Sequence, residues 1–309
     1  MKKIILLFVI LLFFCSHSYS QTAEEYFEQG LEASKSENYK DAINLFTKAI
    51  EINPKYSEAY HKRGYAYALL WDLTKAISDY DKAIELNPND SLAYYNKGIV
   101  YHVQKEYSKE ISNYNKAIEI FPKYADVYIS RGSTYAYLGE NSNALSDYTK
   151  AIEINPNNDY YYDMRGFFYE DLKEYTKAII DYTKAIELKP AYVSYYMHRG
   201  DDYEMIKEYT KAILDYTKVI ELTPDDKYTY HMYTYNKRGK AYYGLKEFSK
   251  SISDYTKAIE LKPDYADAYN NRGDVYYDLG NKDKACEDWK KANSAGYTDA
   301  KDKMDKYCK

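Results

Sequence analysis

The sequence predicts an all-α chain, a linear array of eight tandem helical hairpins of 34 residues each. Three observations carry that prediction. The seven prolines, Pro54, Pro88, Pro122, Pro156, Pro190, Pro224 and Pro263, are spaced by 34 residues, with a last interval of 39. With proline at place 32 of a repeat that starts at Ala23, place 4 is tyrosine and place 8 is glycine in all eight repeats, from Tyr26 and Gly30 to Tyr269 and Gly273. Place 24 is always aromatic, from Phe46 through Tyr182 to Trp289.

These spacings are helical. Places 4, 7, 8 and 11 make one stripe on a first helix, and places 20, 24 and 27 make one on a second. Glycine at place 8 and alanine at places 20 and 27 lack bulk where two helices approach closely. Only Glu110, Ser251 and Val219 depart from that alanine pattern. Aromatic rings at places 4, 11 and 24 fill the space around the contact. Proline at place 32 stops the second helix. Such a hairpin cannot bury its own apolar face, so neighbours must stack. Tyrosine, at 43 residues, is the compositional anomaly, and 29 of the 43 fall at places 4, 11, 17, 24 and 34. Most of the tyrosine therefore reads as packing.

The small/large pattern resembles the tetratricopeptide repeat (TPR) family over residues 23–299, with a five-residue insertion at 227–231. The resemblance implies a right-handed superhelical solenoid of eight helix-turn-helix units whose first helices line a concave groove for peptides or partner helices. The segment 300–309 carries an apolar stripe, Ala300, Met304 and Tyr307, and reads as a C-terminal capping helix. The family's carboxylate clamp, built from Lys and Asn, is absent: Phe27, Leu31, His61 and Tyr65 stand in repeats one and two, and Asn236 and Lys240 come in reverse order in repeat seven.

Residues 1–20 read as a signal peptide rather than as part of the fold. Lys2 and Lys3 precede an apolar run from Ile4 to Phe14, too short to span a bilayer, and Ser18-Tyr19-Ser20 presents a cleavage site before Gln21. Bulky Phe14 disfavours a lipoprotein cut before Cys15. The expected product is exported, periplasmic or secreted, with no membrane span. Cys286 and Cys308 remain; a disulfide between them and two buried free thiols are the alternatives.

A net charge of −5 and the lack of a basic run argue against nucleic acid as partner. His61, His102, His198 and His231 have no Cys, His or Glu at metal-binding spacing, and the glycines are tied to the repeat. The prediction is a non-enzymatic chain without cofactor or metal. Lysine at place 26 recurs with acids three residues to either side, as in Asp181, Lys184 and Glu187, and reads as a solvated outer face. Glu110 reads as a local defect with its carboxylate turned outward, or as a contact to a partner.

Function is expected where the repeats differ. On the first helix, places 2, 5, 9 and 12, with 6 and 13 beside them, form a second stripe. Repeats one to four supply Phe27, Leu31, Tyr65, Leu69, Leu92, Tyr95, Ile99, Val103, Ile129 and Tyr137, an apolar lining. Repeats five and six supply Asp163, Glu170, Asp171, Asp201 and Glu204. Repeat seven is mixed, with Lys237 and Lys240, and repeat eight is acidic again at Asp267, Asp274 and Asp278. This predicts a scaffold for a protein or peptide partner with an apolar and a cationic segment. The alternatives are a carbohydrate-binding module that stacks sugars on Tyr95, Tyr137, Tyr160, Tyr233, Tyr243 and Tyr277, and a self-assembling structural array.

Overall fold

The structure, a computed structural model, describes residues 21–224 and 230–308. The predicted signal peptide and residues 227–229 of the insertion lie outside them. The described residues form seventeen α-helices and no strand. The chain divides into two compact units, Met1–Glu140 and Asn141–Lys309. The first holds α1 (Ala23–Lys35), α2 (Tyr39–Ile52), α3 (Ser57–Leu69), α4 (Leu73–Leu86), α5 (Ser91–Val103), α6 (Tyr107–Ile120) and α7 (Ala125–Tyr137). The second holds α8 (Asn141–Ile154), α9 (Asp159–Asp171), α10 (Tyr175–Leu188), α11 (Val193–Met205), α12 (Tyr209–Leu222), α13 (Tyr230–Gly244), α14 (Phe248–Leu261), α15 (Ala266–Asp278), α16 (Lys282–Ser294) and α17 (Ala300–Tyr307). Within each unit, helices adjacent in sequence pack against one another. No described helix is long and apolar enough to cross a membrane.

Local signals account for the boundaries. Thr22 opens α1 with a capping box, its Oγ1 accepting from the Glu25 amide while Glu25 accepts from the Thr22 amide. Place 15, between the two helices of a repeat, is left-handed from Glu37 to Gly280, with φ between 58° and 76°. There the place-16 amide reaches back to the place-11 carbonyl, as in Asp72 to Tyr67 at 2.9 Å, which closes the first helix in a Schellman turn. Lysine, glutamate or glycine occupies this place except in repeat two, where it is Trp71 with φ 62°. After Pro122, Pro156 and Pro190, the place-4 tyrosine hydroxyl donates to the proline carbonyl at 3.0–3.3 Å, which ties one repeat's end to the next repeat's start.

Helix pairs meet at the place-8 glycine. A Cβ added to Gly98 would lie 2.5 Å from the Tyr114 ring, and one on Gly30 2.6 Å from Phe46. Phe46, Tyr80, Tyr114, Tyr182, Tyr216, Tyr255 and Trp289 at place 24 are the largest fully buried side chains. Small residues at places 20 and 27 are buried beside them, as in Ala76 and Ala83.

A second interaction joins neighbouring repeats. Arginine at place 7 makes a two-pronged bond to aspartate at place 23 of its own repeat and reaches the place-25 threonine of the repeat before. Arg165 holds both Asp181 oxygens at 2.8 Å and donates to Thr149 at 3.1 Å. Arg63, Arg199, Arg238 and Arg272 do the same through Asp79, Asp215, Asp254 and Asp288. This corrects the outer-face reading of Asp181, which is 2% exposed and faces the arginine. Lys184 and Glu187 do pair on the exposed face, at 2.9 Å.

Glu110 is neither an outward-turned defect nor exposed to a partner. It is 1% exposed and accepts hydrogen bonds from Thr134 at 2.5 Å and from His102 at 3.1 Å. Those donors supply what a buried carboxylate requires. His231, in the insertion, is also buried, with Nε2 3.0 Å from the Thr223 hydroxyl. At the C-terminal end, Tyr307 of α17 lies over Tyr277 with ring centroids 4.6 Å apart, and Ala300 is fully buried. Cys286 and Cys308 are joined in a disulfide across a separation of 22 residues.

The arginine contact yields a test. Arg165→Met strands a buried carboxylate and should lower stability by about 3–5 kcal/mol, whereas Arg165→Met with Asp181→Leu should recover most of that loss. Urea denaturation of the two variants decides it; equal midpoints would mean that the pair has no such role.

Candidate functional site

In repeats two and three the first helices present places 9 and 13 to solvent, and the groove reading divides there. Tyr65 (44% exposed), Leu69, Ile99 and Val103 are open, and so are Leu92 and Tyr137. Phe27 and Ile129 are not available to a ligand, which corrects their assignment: both sit at place 5, which points into the stack. Phe27 lies against Phe46 and Tyr56, with ring centroids 5.6 and 4.8 Å apart. Tyr95, also at place 5, packs on Tyr114 and Tyr124 and bonds to Ser130 at 3.2 Å. Leu31 is partly buried against the first core cluster.

Four of the open residues meet in one place. Tyr65, Ala68 and Leu69 of α3, Leu73 and Tyr80 of α4, and Asn96, Ile99, Val100 and Val103 of α5 line a cavity of about 150 Å³, with Trp71 at its edge. Sequence reasoning missed Trp71. It is 74% exposed, the most exposed large apolar side chain of the described residues, and its left-handed backbone is a conformation that bulky residues rarely adopt. The signal was present: Trp71 is one of only two tryptophans, and it stands where other repeats carry a charge or glycine. The wall behind the cavity is tied by hydrogen bonds. His61 is buried, with Nδ1 2.9 Å from Asp90 and Nε2 2.9 Å from the Asn96 amide. Asp90 also accepts from the Ala93 amide at 2.9 Å and so fixes the start of α5.

In the second unit the acidic places separate into two groups. Asp201 is 3.4 Å from Lys237, and Glu204 is 2.5 Å from Lys240, so repeat seven neutralises part of repeat six, a pairing the place-by-place reading overlooked. Tyr216 also donates to Asp201 at 2.6 Å. In repeat eight, Asp274 holds Lys303 of α17 at 2.6 Å and the Trp289 Nε1 at 2.9 Å, while Asp278 accepts from Tyr243 at 2.6 Å. Among the described residues, no lysine or arginine pairs with Asp163, Glu170 or Asp171 on α9. Asp202, also missed, joins them: it is 2% exposed at place 10, where Ala66, Val100, Phe168, Ala241 and Val275 are apolar core. Of the proposed sugar platforms, Tyr277 is sandwiched with Trp289 and Tyr307, and Tyr243 packs on Phe248; with Tyr95 they are structural rather than open.

Sequence profiles of one family match along both units. Profiles described as TPR repeat match residues 24–70, 72–105 and 239–280, and profiles described as tetratricopeptide repeat match 92–124, 125–158, 147–180 and 266–295. No curated protein sequence matches the chain. Among solved structures, the chain is similar to the C-terminal part of a TPR repeat-containing protein from Cytophaga hutchinsonii, at TM-score 0.70 and 21% identity over 79% of this chain and 98% of that one. It is also similar to a tetratricopeptide repeat protein from Parabacteroides merdae, at TM-score 0.53 and 24% identity over 78% and 93%. Both likenesses concern the fold.

The acidic group has a titration consequence. Burial, then the neighbouring Glu170 and Asp201, pushes the Asp202 carboxyl up to about 8. Contact with Glu170 raises His198 above its ordinary value of 6.5. In the unfolded chain Asp202 loses its proton near the ordinary 3.8, so between that value and about 8 the folded state binds more protons and stability falls as pH rises. His198 acts in the same direction: its contribution is full below 6.5 and is lost as pH climbs through its raised folded value. The urea midpoint should therefore drop between pH 5 and pH 8, and Asp202→Asn should flatten most of that drop. A wild-type midpoint that rises over this interval would refute the assignment.

Proposed function

The chain belongs to the tetratricopeptide repeat family, and from that premise we propose that it is a non-enzymatic scaffold which holds an apolar side chain of a protein or peptide partner in the cavity between α3 and α5. The observation that carries this reading is Trp71, a large aromatic ring held out to solvent at the edge of a cavity lined by Tyr65, Leu69, Ile99 and Val103. Exposed apolar surface of this kind, next to a pocket with a wall tied by hydrogen bonds, is where partners gain most of their affinity. Asn96 is the one amide side chain of that lining.

The proposed setting is outside the cytoplasm, in the periplasm or beyond. It is supported by the charged and apolar pattern of Lys2 to Phe14 and by a Cys286–Cys308 bridge of the kind that oxidising compartments favour.

A pull-down from envelope extract with the mature chain, run in parallel with Trp71→Ala, tests the reading. A residue that anchors a partner is worth at least ~2 kcal/mol, roughly 30-fold in affinity. Proteins retained by the wild type should be lost from the variant and regained with Trp71→Phe. Trp289 is buried, so a shift in tryptophan emission on adding a captured partner that lacks tryptophan reports Trp71. Undiminished capture by Trp71→Ala, with helicity unchanged, would sink the proposal.

A further inference from the structure

Four groups on one side of α9 stand at helical spacing: Asp163, Phe167, Glu170 and Asp171. Phe167 is 50% exposed, and Asp171 is exposed beside it. From α11, His198 stacks on Tyr182 of α10 with ring centroids 5.3 Å apart and meets the Phe167 ring edge-on at 6.3 Å. Its Nδ1 lies 3.5 Å from Glu170, an ion-pair distance. Asp202 lies behind these groups on the same helix as His198.

The charges here do not balance. Lys237 and Lys240 are engaged by Asp201 and Glu204. Asp159, at the start of α9, accepts from the Tyr195 hydroxyl at 2.6 Å and has Lys189 at 3.7 Å. That leaves Asp163 and Glu170 beside a single histidine, with Asp171 exposed at the end of α9.

A second observation points the same way. Among the described residues, the buried side-chain polar atoms without a hydrogen-bond partner are Tyr182 Oη, Asp202 Oδ2 and Glu170 Oε1, the last of which has only the 3.5 Å ion-pair contact with His198, and all three belong to this cluster. Tyr182 and Asp202 are 0% and 2% exposed. Native interiors seldom leave such atoms unmatched. The acids are not gathered as metal ligands: no group of three or more among the described residues is placed to hold a metal ion.

We propose that Phe167, Asp163, Glu170 and Asp171 form a receptor for an arginine side chain of the partner. The guanidinium would lie over the exposed Phe167 face and donate to the carboxylates on either side of it. A planar five-donor cation suits this arrangement better than a compact ammonium, since it combines ring stacking with a fork toward two acceptors. The proposal rests on the reading of the chain as a protein-binding scaffold, yet it concerns a separate site and fails separately.

The test uses the mature chain and two probes, an end-capped tetra-arginine peptide and its citrulline counterpart, titrated calorimetrically in low and in moderate salt. The arginine peptide should bind and the citrulline peptide should not. Asp163→Asn with Asp171→Asn should weaken the arginine peptide at least tenfold, and Phe167→Ala several-fold. A control that removes two carboxylates elsewhere, Glu187→Gln with Glu260→Gln, should change affinity by less than a factor of two. Trp71→Ala should leave it unchanged, which separates this site from the apolar one. Equal weakening by both double variants would reduce the effect to net charge and overturn the proposal. Citrulline binding as well as arginine, or an end-capped tetra-lysine peptide matching it, would overturn the guanidinium assignment.

Discussion

The contact between the place-8 glycine and the place-24 ring is the constraint from which the rest of each repeat follows. An aromatic side chain can lie across a neighbouring helix backbone only where that backbone carries no Cβ, and at Gly98 an added Cβ would fall inside the Tyr114 ring's contact distance. Once the ring occupies that position, places 20 and 27 beside it must be small. A turn of fixed geometry then has to join the two helices, and place 15 adopts the left-handed conformation in repeat after repeat. One close approach thus dictates residue size, turn conformation and helix spacing together. Overpacking it would cost about 1–3 kcal/mol by the usual response of a filled interior.

This logic explains what could be read from the sequence. Steric requirements repeat at every unit and leave invariant residues, so the helix pairs and the packing role of most tyrosines were legible from Gly30, Phe46 and their equivalents. The pairing of Arg165 with Asp181 was not. Both residues recur, but they lie 16 positions apart on different helices, and Lys184 three residues from Asp181 offers a simpler local partner. Helical spacing reveals neighbours on one helix; it is silent about which residue of the next helix stands opposite. The burial of place 5 was missed for the same reason. Phe27 shares a helix face with groove residues, and only the position of the following repeat turns it inward.

Departures from the repeat behave differently, because each is a local decision without a periodic echo. Two of them replace apolar core by carboxylate. Glu110 is answered in full, by Thr134 and His102, and works as a polar staple within the first unit. Asp202 is not answered: one of its oxygens has no partner, and the neighbours that act on it most, Glu170 and Asp201, are themselves acids. Identical chemistry at comparable burial therefore has opposite meanings, decided by the donors that surround it. Trp71 is a third departure. A ring that could have been buried is instead held outward on a backbone conformation that serves most other repeats with lysine, glutamate or glycine.

These exceptions draw on stability that the regular part of the chain supplies. The arginine contacts of repeats five and six flank the acidic cluster: Arg165 joins α9 to α8 and α10, and Arg199 joins α11 to α10 and α12. Both helices that carry the carboxylates are therefore held on two sides by charge-assisted bonds, on one side to a buried aspartate and on the other to a threonine hydroxyl. Like charges confined on such helices cannot relax by moving apart. The strain is instead relieved by keeping a proton on Asp202, by charging His198, or by admitting a cation from outside. The first two are available to the chain alone and weaken as pH rises; the third requires a partner. A site whose internal compensation fades with pH while its carboxylates stay fixed is one in which an external cation replaces protons the chain would otherwise retain.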